Sequence, residues 1–366
     1  IFQSGFVPKR HKSQDTKYPC AAAKFEIWRA FLSAKALRNG GNMKGNTKAI
    51  RSGFLLFLAA SIWGAAFVAQ SVGMDYMGPA TFNAARFLLG GAVLLPVLAF
   101  RAARGPERAL EMADPGKKGG VRLAAGGICC GLALCGASLL QQIGIQDTAV
   151  GKAGFLTTLY IVIVPLIGIF LGKRAGAKVW GAAAMALAGM YLLCMSGSPS
   201  GAGTSFLTVG RGDAFVLGGA VLFSVHILAV DRFSPGTDSV ALSCIQFFTS
   251  GAICTVLALL TEAPSVSALM AGALPVLYAG VLSCGVAYTL QVVGQKEVEP
   301  AAASLILSLE SVVSVLAGWA VLGQRLSGRE LAGCALVFAA VILVQLPGRA
   351  GKQPSAIPSG SQKAEL

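Results

Sequence analysis

The sequence predicts an all-α membrane protein with ten transmembrane helices, arranged as two inverted five-helix repeats. Three observations lead to this prediction. The 366 residues are 55% hydrophobic and 13% charged, with a mean hydropathy of +0.68, whereas soluble domains carry roughly 25% charged residues. Ten apolar runs follow one another along the chain. The first five runs resemble the last five at a spacing of about 150 to 160 residues.

Glycine, proline and charged residues separate the apolar runs, and each run approaches the roughly 20 residues that cross a bilayer as a helix. The runs cover approximately residues 53–72, 78–100, 122–145, 149–171, 177–195, 213–231, 238–261, 272–294, 299–323 and 328–346. They divide the chain into an N-terminal extension (1–52), a first repeat (53–195), a linker (196–212), a second repeat (213–346) and a polar C-terminal tail (347–366). We expect the tail to be disordered because it is polar and has few apolar residues to bury.

The N-terminal extension has no run long enough to span a membrane. The sequence begins at Ile1, and Met43 opens a short basic lead into the first apolar run. We interpret residues 1–42 as a mis-called start or a disordered extension. A targeting presequence is the alternative, because the segment is rich in lysine and contains a short amphipathic pattern.

The distribution of Lys and Arg predicts the orientation. An even number of spans puts both termini on one side, and placing that side in the cytoplasm gives 17 basic residues in inside segments against 4 in outside segments. This asymmetry is the positive-inside pattern of plasma-membrane proteins. The last outside loop, with Arg325 and Arg329, goes against the trend. The net charge of +14 is thus explained by topology, and no nucleic-acid partner is expected.

The internal repeat is visible at three places. Residues 85–92 (ARFLLGGA) correspond to 245–252 (IQFFTSGA), and residues 140–144 (LQQIG) correspond to 290–294 (LQVVG). Residues 171–174 (LGKR) correspond to 322–325 (LGQR). Because five spans is an odd number, the second unit must enter the membrane upside down relative to the first. Inverted repeats are a common construction of secondary transporters, with the site near the midplane between the halves.

With these residues in view, the chain resembles the drug/metabolite transporter superfamily, specifically its ten-helix EamA-type members with two EamA repeats. The resemblance covers roughly residues 50–346. It rests on SIWGAAFV in the first run, AARF in the second, Gly-Asp at the start of the second repeat, and LESVV, Gly-Trp and LGQRLS near the end of the second repeat. It implies a transporter with a central cavity and no cofactor.

The chain departs from the pattern that the resemblance implies. Ser311 stands where the pattern usually has proline, and Gln324 stands where it usually has glutamate. The repeat register places Leu159 opposite Glu310 and Tyr160 opposite Ser311. A helix kink at Ser311 is therefore uncertain, and the two halves are chemically unequal.

Glu310 is the leading candidate for a functional residue. It is a single carboxylate near the middle of the ninth run, where an ionisable group costs on the order of 3 kcal/mol unless protein or a water-filled cavity solvates it. The functional interpretation is a protonatable or amine-binding group in the central cavity. The structural alternative is a carboxylate that only bonds a neighbouring helix.

Three other ionisable residues lie inside apolar runs. Arg86, within snorkelling reach of the outer face, could bind a substrate carboxylate or pin the second helix to a neighbour. His226 could carry protons or merely line the cavity. The simplest interpretation of Asp231 is that it pairs with Arg232 at the end of a helix.

Uncharged polar and aromatic side chains complete the candidate cavity. Each could line a mostly apolar small-molecule site, although Trp and Tyr can equally be interfacial anchors. These candidates are Trp63, Phe67, Gln70, Asn83, Gln141, Gln142, Tyr160, Tyr288, Gln291 and Trp319.

The motifs do not favour an enzyme or a metalloprotein. There is no Gly-rich phosphate loop, H-E-x-x-H or G-x-S-x-G. Eight of the nine cysteines lie in apolar runs without CxxC or paired His/Cys spacing, so we expect packing residues and no bound metal. A lipid-acting enzyme would need a second polar residue close to Glu310.

The sequence therefore predicts a plasma-membrane secondary transporter that exports small metabolites, amino acids or drug-like compounds by alternating access. The alternative is a receptor or scaffold that binds a small ligand without moving it. The expected partners are a small-molecule substrate and the lipid bilayer, and the protein is a monomer or a homodimer.

Overall fold

A computed structural model describes residues 43–104, 118–148, 150–173, 175–194, 210–322 and 327–345. All regular secondary structure in these residues is helical. The chain divides into two compact units, residues 1–50 and 51–366, and the site described below lies in the second. The expectations for residues 1–42, for 196–209 of the linker and for the tail fall outside the described residues.

The described residues form fifteen helical segments, and several of these join end to end into longer rods. In the first half they are Met43–Gly73, Pro79–Arg104, Lys118–Asp147, Val150–Thr158, Tyr160–Phe170 and Ala177–Cys194. In the second half they are Arg211–Phe233, Ser239–Thr261, Val266–Ala271, Ala273–Leu277, Tyr278–Tyr288, Thr289–Gly294, Pro300–Leu307, Leu309–Leu322 and Gly328–Gln345.

The apolar helices occupy the positions of the predicted runs. Within the described ranges, seven are long and apolar enough to cross a membrane, and three shorter apolar helices correspond to the fifth, ninth and tenth runs. That all ten cross the bilayer stays a prediction. One boundary was predicted wrongly, and one helix was missed. The first helix begins at Met43 rather than at residue 53, because no proline or glycine pair interrupts the basic lead, and the short Val266–Ala271 helix was missed.

Two helix starts are stabilised by carboxylates. Glu262, after the seventh run, accepts hydrogen bonds from the backbone N–H groups of Ala80 and Thr81 at 2.8 Å each, so it caps the second helix of the other repeat. Asp238 caps its own helix through Val240 N–H at 2.8 Å and also pairs with Arg101 at 3.0 Å. Negative charge is favourable at these positions because helix N-termini carry unpaired N–H groups and a partial positive charge.

The fourth and ninth runs each form two helices separated by a single residue. The breaks fall at Leu159 and Ser308. At both positions a backbone N–H bonds three residues back, Val162 to Leu159 at 3.0 Å and Ser311 to Ser308 at 3.2 Å. The tightening from four-residue to three-residue bonding interrupts the regular helix.

Hydroxyl groups, and not proline, accompany these breaks. Thr158 Oγ1 donates to the carbonyl of Phe155 at 2.9 Å, and Ser308 Oγ donates to that of Leu305 at 2.8 Å. Ser311 Oγ donates to the Ser308 carbonyl at 2.7 Å. Such back-bonding bends helices. A break therefore exists just before Glu310 although the proline is missing.

Repeat-related residues meet where the halves pack. The helices Pro79–Arg104 and Ser239–Thr261 pack side by side, and the rings of Phe87 and Phe247 stack at 6.2 Å with an interplanar angle of 14°. These two phenylalanines occupy equivalent positions of the predicted repeat. The central layer of the bundle is therefore built from the segments that the sequence comparison paired.

Candidate functional site

A central cavity lies between the two halves of the chain, with about 490 Å³ of empty space including its mouth. Both repeats contribute side chains to it, most of them apolar or neutral. From the first half these are Trp63, Phe67, Gln70, Arg86, Gln141, Thr157 and Tyr160, and from the second half Phe223, His226, Ile227, Ser283, Tyr288, Gln291, Leu307 and Glu310. An apolar wall with a few polar groups is typical of a small-molecule site.

Glu310 reaches this cavity from the first turn of the helix Leu309–Leu322. Its side chain is buried, and its Oε1 accepts a hydrogen bond of 3.0 Å from the hydroxyl of Tyr160, which is also buried. Tyr160 starts the helix after the break in the first half, and Glu310 follows the break in the second. The two helix breaks thus bring a phenol and a carboxyl group together across the repeats.

Arg86 is almost completely buried, with 2% of the residue exposed. Its guanidinium therefore packs among other side chains and does not snorkel to the outer face. Its Nη1 donates to Gln70 Oε1 at 3.1 Å, and its guanidinium carbon lies 4.8 Å from the centroid of the Phe87 ring. Its Nε and Nη2 have no hydrogen-bond partner. Within the described ranges no carboxylate forms an ion pair with it.

His226 lines the same cavity at 1% exposure. Its Nε2 lies 3.0 Å from Oε1 of Gln246, so this nitrogen carries the proton in the hydrogen-bonded tautomer. Gln246 is the repeat counterpart of Arg86, and each bonds a residue of the preceding helix. In both halves this position of the second helix bonds a residue of the preceding helix, but it is a charged arginine in the first half and a neutral glutamine in the second.

Aromatic rings form one wall of the cavity. Trp63 and Tyr288 lie 4.6 Å apart between ring centroids, tilted by 56°, and His226 meets the edge of Tyr288 at 5.9 Å. The indole N–H of Trp63 donates to the Ser283 carbonyl at 3.3 Å. Ser283 and Tyr288 belong to Tyr278–Tyr288, a π-helical segment, and π-helical turns are frequent at functional sites.

Ten of the twelve candidate cavity residues whose side chains the structure describes line the cavity. The two that do not are buried supporting residues: Asn83 Nδ2 donates to the Ser138 carbonyl at 3.3 Å, and Gln142 Nε2 donates to the Gln70 carbonyl at 2.9 Å. The prediction for Asp231 was wrong in its partner, since it pairs with Lys173 and not with Arg232. The side chain of Trp319 lies outside the described residues.

Sequence reasoning missed five lining residues, namely Thr157, Phe223, Ile227, Ser283 and Leu307. Four of them carry no feature that separates them from other residues of an apolar helix. Thr157 could have been found from the sequence, because it is polar and lies one turn before Tyr160. In the structure it accepts a hydrogen bond of 3.0 Å from Gln141 Nε2.

A second pocket lies at the end of the bundle that holds the loops after the fourth, sixth and eighth runs. It has about 720 Å³ of empty space including its mouth and is lined by Pro165, Lys173, Asp231, Glu299 and Pro300, among others. The Lys173–Asp231 ion pair crosses it and connects the two repeats. The charge distribution predicts this end to be cytoplasmic.

The residues that the structure describes contain no group of three or more His, Cys, Asp or Glu side chains arranged to hold a metal ion. The cavity instead offers one carboxyl group, one guanidinium and several amides and hydroxyls. Such a set can bind a small polar molecule and exchange a proton with it. Tyr160 also supplies the polar neighbour of Glu310 that an enzyme would require, so the absence of catalysis stays a prediction.

Comparison with known proteins covers both halves. The EamA-like transporter family matches residues 51–195 and 210–346. An uncharacterized transporter of Archaeoglobus fulgidus is 26% identical over 318 residues, which cover 86% of this chain and 92% of that protein. The uncharacterized inner membrane transporter YedA of Escherichia coli K12 is 25% identical over 80% of this chain and 89% of its own length.

A protein of known crystal structure shares the fold with a TM-score of 0.64 and 22% sequence identity, covering 80% of this chain and 96% of its own. The family match extends over most of the chain, in two copies. The chain therefore belongs to the EamA-like transporter family.

Proposed function

We propose that the protein is a secondary transporter that exports small metabolites, amino acids or drug-like compounds across the plasma membrane by alternating access. The observation that carries this proposal is the hydrogen bond between Tyr160 and Glu310. It joins the two repeats inside a cavity that both repeats line. A substrate or proton that binds Glu310 would therefore change the hydrogen bond that connects the two halves.

The broken helices support this proposal. Discontinuous helices near the midplane form the substrate sites of several inverted-repeat transporters, because broken helix ends expose backbone groups to the cavity. Here both breaks lie beside the Tyr160–Glu310 contact. The tight packing of Gly64 against the Glu310 carbonyl also connects the first helix to this region. A change at Glu310 can therefore reach several helices at once.

Counterflow tests the proposal. Purified protein is reconstituted into liposomes loaded with an unlabelled cell extract and then given an isotope-labelled extract, and the labelled compounds that enter are identified by mass spectrometry. We expect a defined set of compounds to exchange unchanged in mass. Binding of compounds without exchange would instead support a receptor, and products of altered mass would support an enzyme.

The variant Glu310→Gln keeps the size of the side chain and removes its protonation. We expect exchange to fall by up to about tenfold, since the amide weakens or misplaces a hydrogen bond with Tyr160 worth about 0.5–1.5 kcal/mol, and any acceleration by a proton gradient to disappear because the amide cannot take up or release a proton. Glu297→Gln, an exposed loop position, is the matched control and should behave as wild type. Unaltered exchange and pH dependence in Glu310→Gln would remove the proposed role of this residue.

A further inference from the structure

Arg86 combines almost complete burial with an uncompensated positive charge. A guanidinium remains charged in proteins and presents five N–H donors. Among the residues that the structure describes, its hydrogen-bond partner is a neutral amide, Gln70, and none bonds its Nε or Nη2. Removing a charge from water without pairing it is strongly unfavourable. The described residues therefore do not supply a partner for the charge of Arg86.

The missing partner has a defined chemistry. Phe87 holds the guanidinium plane by a cation–π contact at 4.8 Å, while Gln70 fixes Nη1. The nitrogens Nε and Nη2, which lie along one edge of the planar group, keep their N–H donors available. A carboxylate accepts two parallel N–H bonds from such a fork. Because Arg86 lines the central cavity, the partner can arrive with the transported molecule.

Glu310 does not supply this carboxylate. It lines the same cavity but bonds Tyr160, and the ion pairs of the described chain are Arg101–Asp238 and Lys173–Asp231. The guanidinium and the carboxyl group of the site thus remain available to different parts of one ligand. We propose that Arg86 receives the carboxylate group of the substrate, so that the transporter selects small molecules that carry a carboxylate. This inference rests on the proposed transport function.

The first test compares each exchanged compound with its primary amide. In counterflow we expect the exchanged set to consist of carboxylate compounds, and the matched amides to compete about ten- to a hundredfold less well. Arg86→Gln should abolish this preference. Exchange of compounds without a carboxylate, or an unchanged preference in Arg86→Gln, would overturn the assignment and leave transport itself intact. No exchange of any compound would instead contradict the proposed function.

A second test needs no substrate and guards against misfolding of the Arg86 variant. Gln70→Glu places a carboxylate beside Nη1, where Gln70 Oε1 already lies 3.1 Å away. In the purified protein without ligand, we expect the thermal midpoint to rise by about 2–4 °C, and exchange of carboxylates to be lost because the new carboxylate neutralises the guanidinium.

Gln142→Glu is the matched control for this second test. It introduces a buried carboxylate at a position outside the cavity whose Nε2 bonds the Gln70 backbone, and its midpoint should fall. If Gln70→Glu also lowers the midpoint and carboxylate exchange continues, Arg86 has a structural role alone and the inference is wrong.

Discussion

The hydroxyl of Tyr160 is the residue-scale feature that distinguishes this site from a lone buried carboxyl group. It donates to Glu310 at 3.0 Å from the opposite repeat. Repeat alignment placed Tyr160 opposite Ser311 and could not show that its side chain reaches the neighbouring position. The sequence thus identified both residues as candidates, while their pairing required the two helix breaks to be known.

We predict that Tyr160→Phe slows exchange by about two- to tenfold, because it removes a hydrogen bond worth about 0.5–1.5 kcal/mol while the ring is retained. Counterflow at fixed substrate concentration measures the rate. Tyr278→Phe removes a phenol hydroxyl that bonds the Ile62 carbonyl at 3.0 Å, away from Glu310, and should leave the rate within twofold of wild type. Equal losses in both variants would contradict a specific role for the Tyr160–Glu310 bond.

At the scale of elements, the break before Glu310 shows that a missing proline does not imply a straight helix. The hydroxyls of Ser308 and Ser311 bond backbone carbonyls three residues back, and the new helix begins at Leu309. Serine is common in loops and helices alike, so composition alone could not locate this break. The equivalent break at Leu159 is accompanied by Thr158, and it too was not predicted.

The position of Ser311 leads to a second prediction. It lies in the first turn after the break, where proline is tolerated since its N–H has no regular four-residue acceptor. We expect Ser311→Pro to change the free energy of unfolding by about 1 kcal/mol or less. Val313→Pro, two residues further into the same helix, should cost about 3 kcal/mol or more. Thermal unfolding in detergent measures both, and a large loss for Ser311→Pro would show that the break does not accommodate proline.

At the scale of the whole molecule, the sequence predicted the order of the apolar helices and the existence of two repeats. Both depend on composition and periodicity, which can be read from the sequence without knowing how the helices pack. Phe87 and Phe247, paired by alignment, are also in contact. The unpaired state of Arg86 and the partner of Asp231 could not be predicted. They depend on which side chains meet across helices, and apolar periodicity in a membrane protein does not encode that.

Close packing between the repeats depends on Gly64. A Cβ atom there would lie 2.5 Å from the Glu310 carbonyl oxygen and 2.7 Å from Cβ of Val313. One of these atoms belongs to the backbone of the helix Leu309–Leu322 and the other is attached directly to that backbone. The overlap can therefore be relieved only if this helix moves. Because Glu310 is carried by this helix, its distance from Tyr160 must change as well.

We therefore predict that Gly64→Ala lowers the free energy of unfolding by about 1–3 kcal/mol, as overpacking does, and reduces counterflow together with it. Gly181→Ala is the matched control, since a Cβ there meets no atom within 4 Å, and alanine should stabilise its helix by up to about 1 kcal/mol. The comparison uses thermal unfolding and counterflow on the same preparations. If Gly64→Ala transports and unfolds as Gly181→Ala does, the first and ninth runs do not pack as closely as the structure shows, and the coupling of Glu310 to the other repeat would rest on Tyr160 alone.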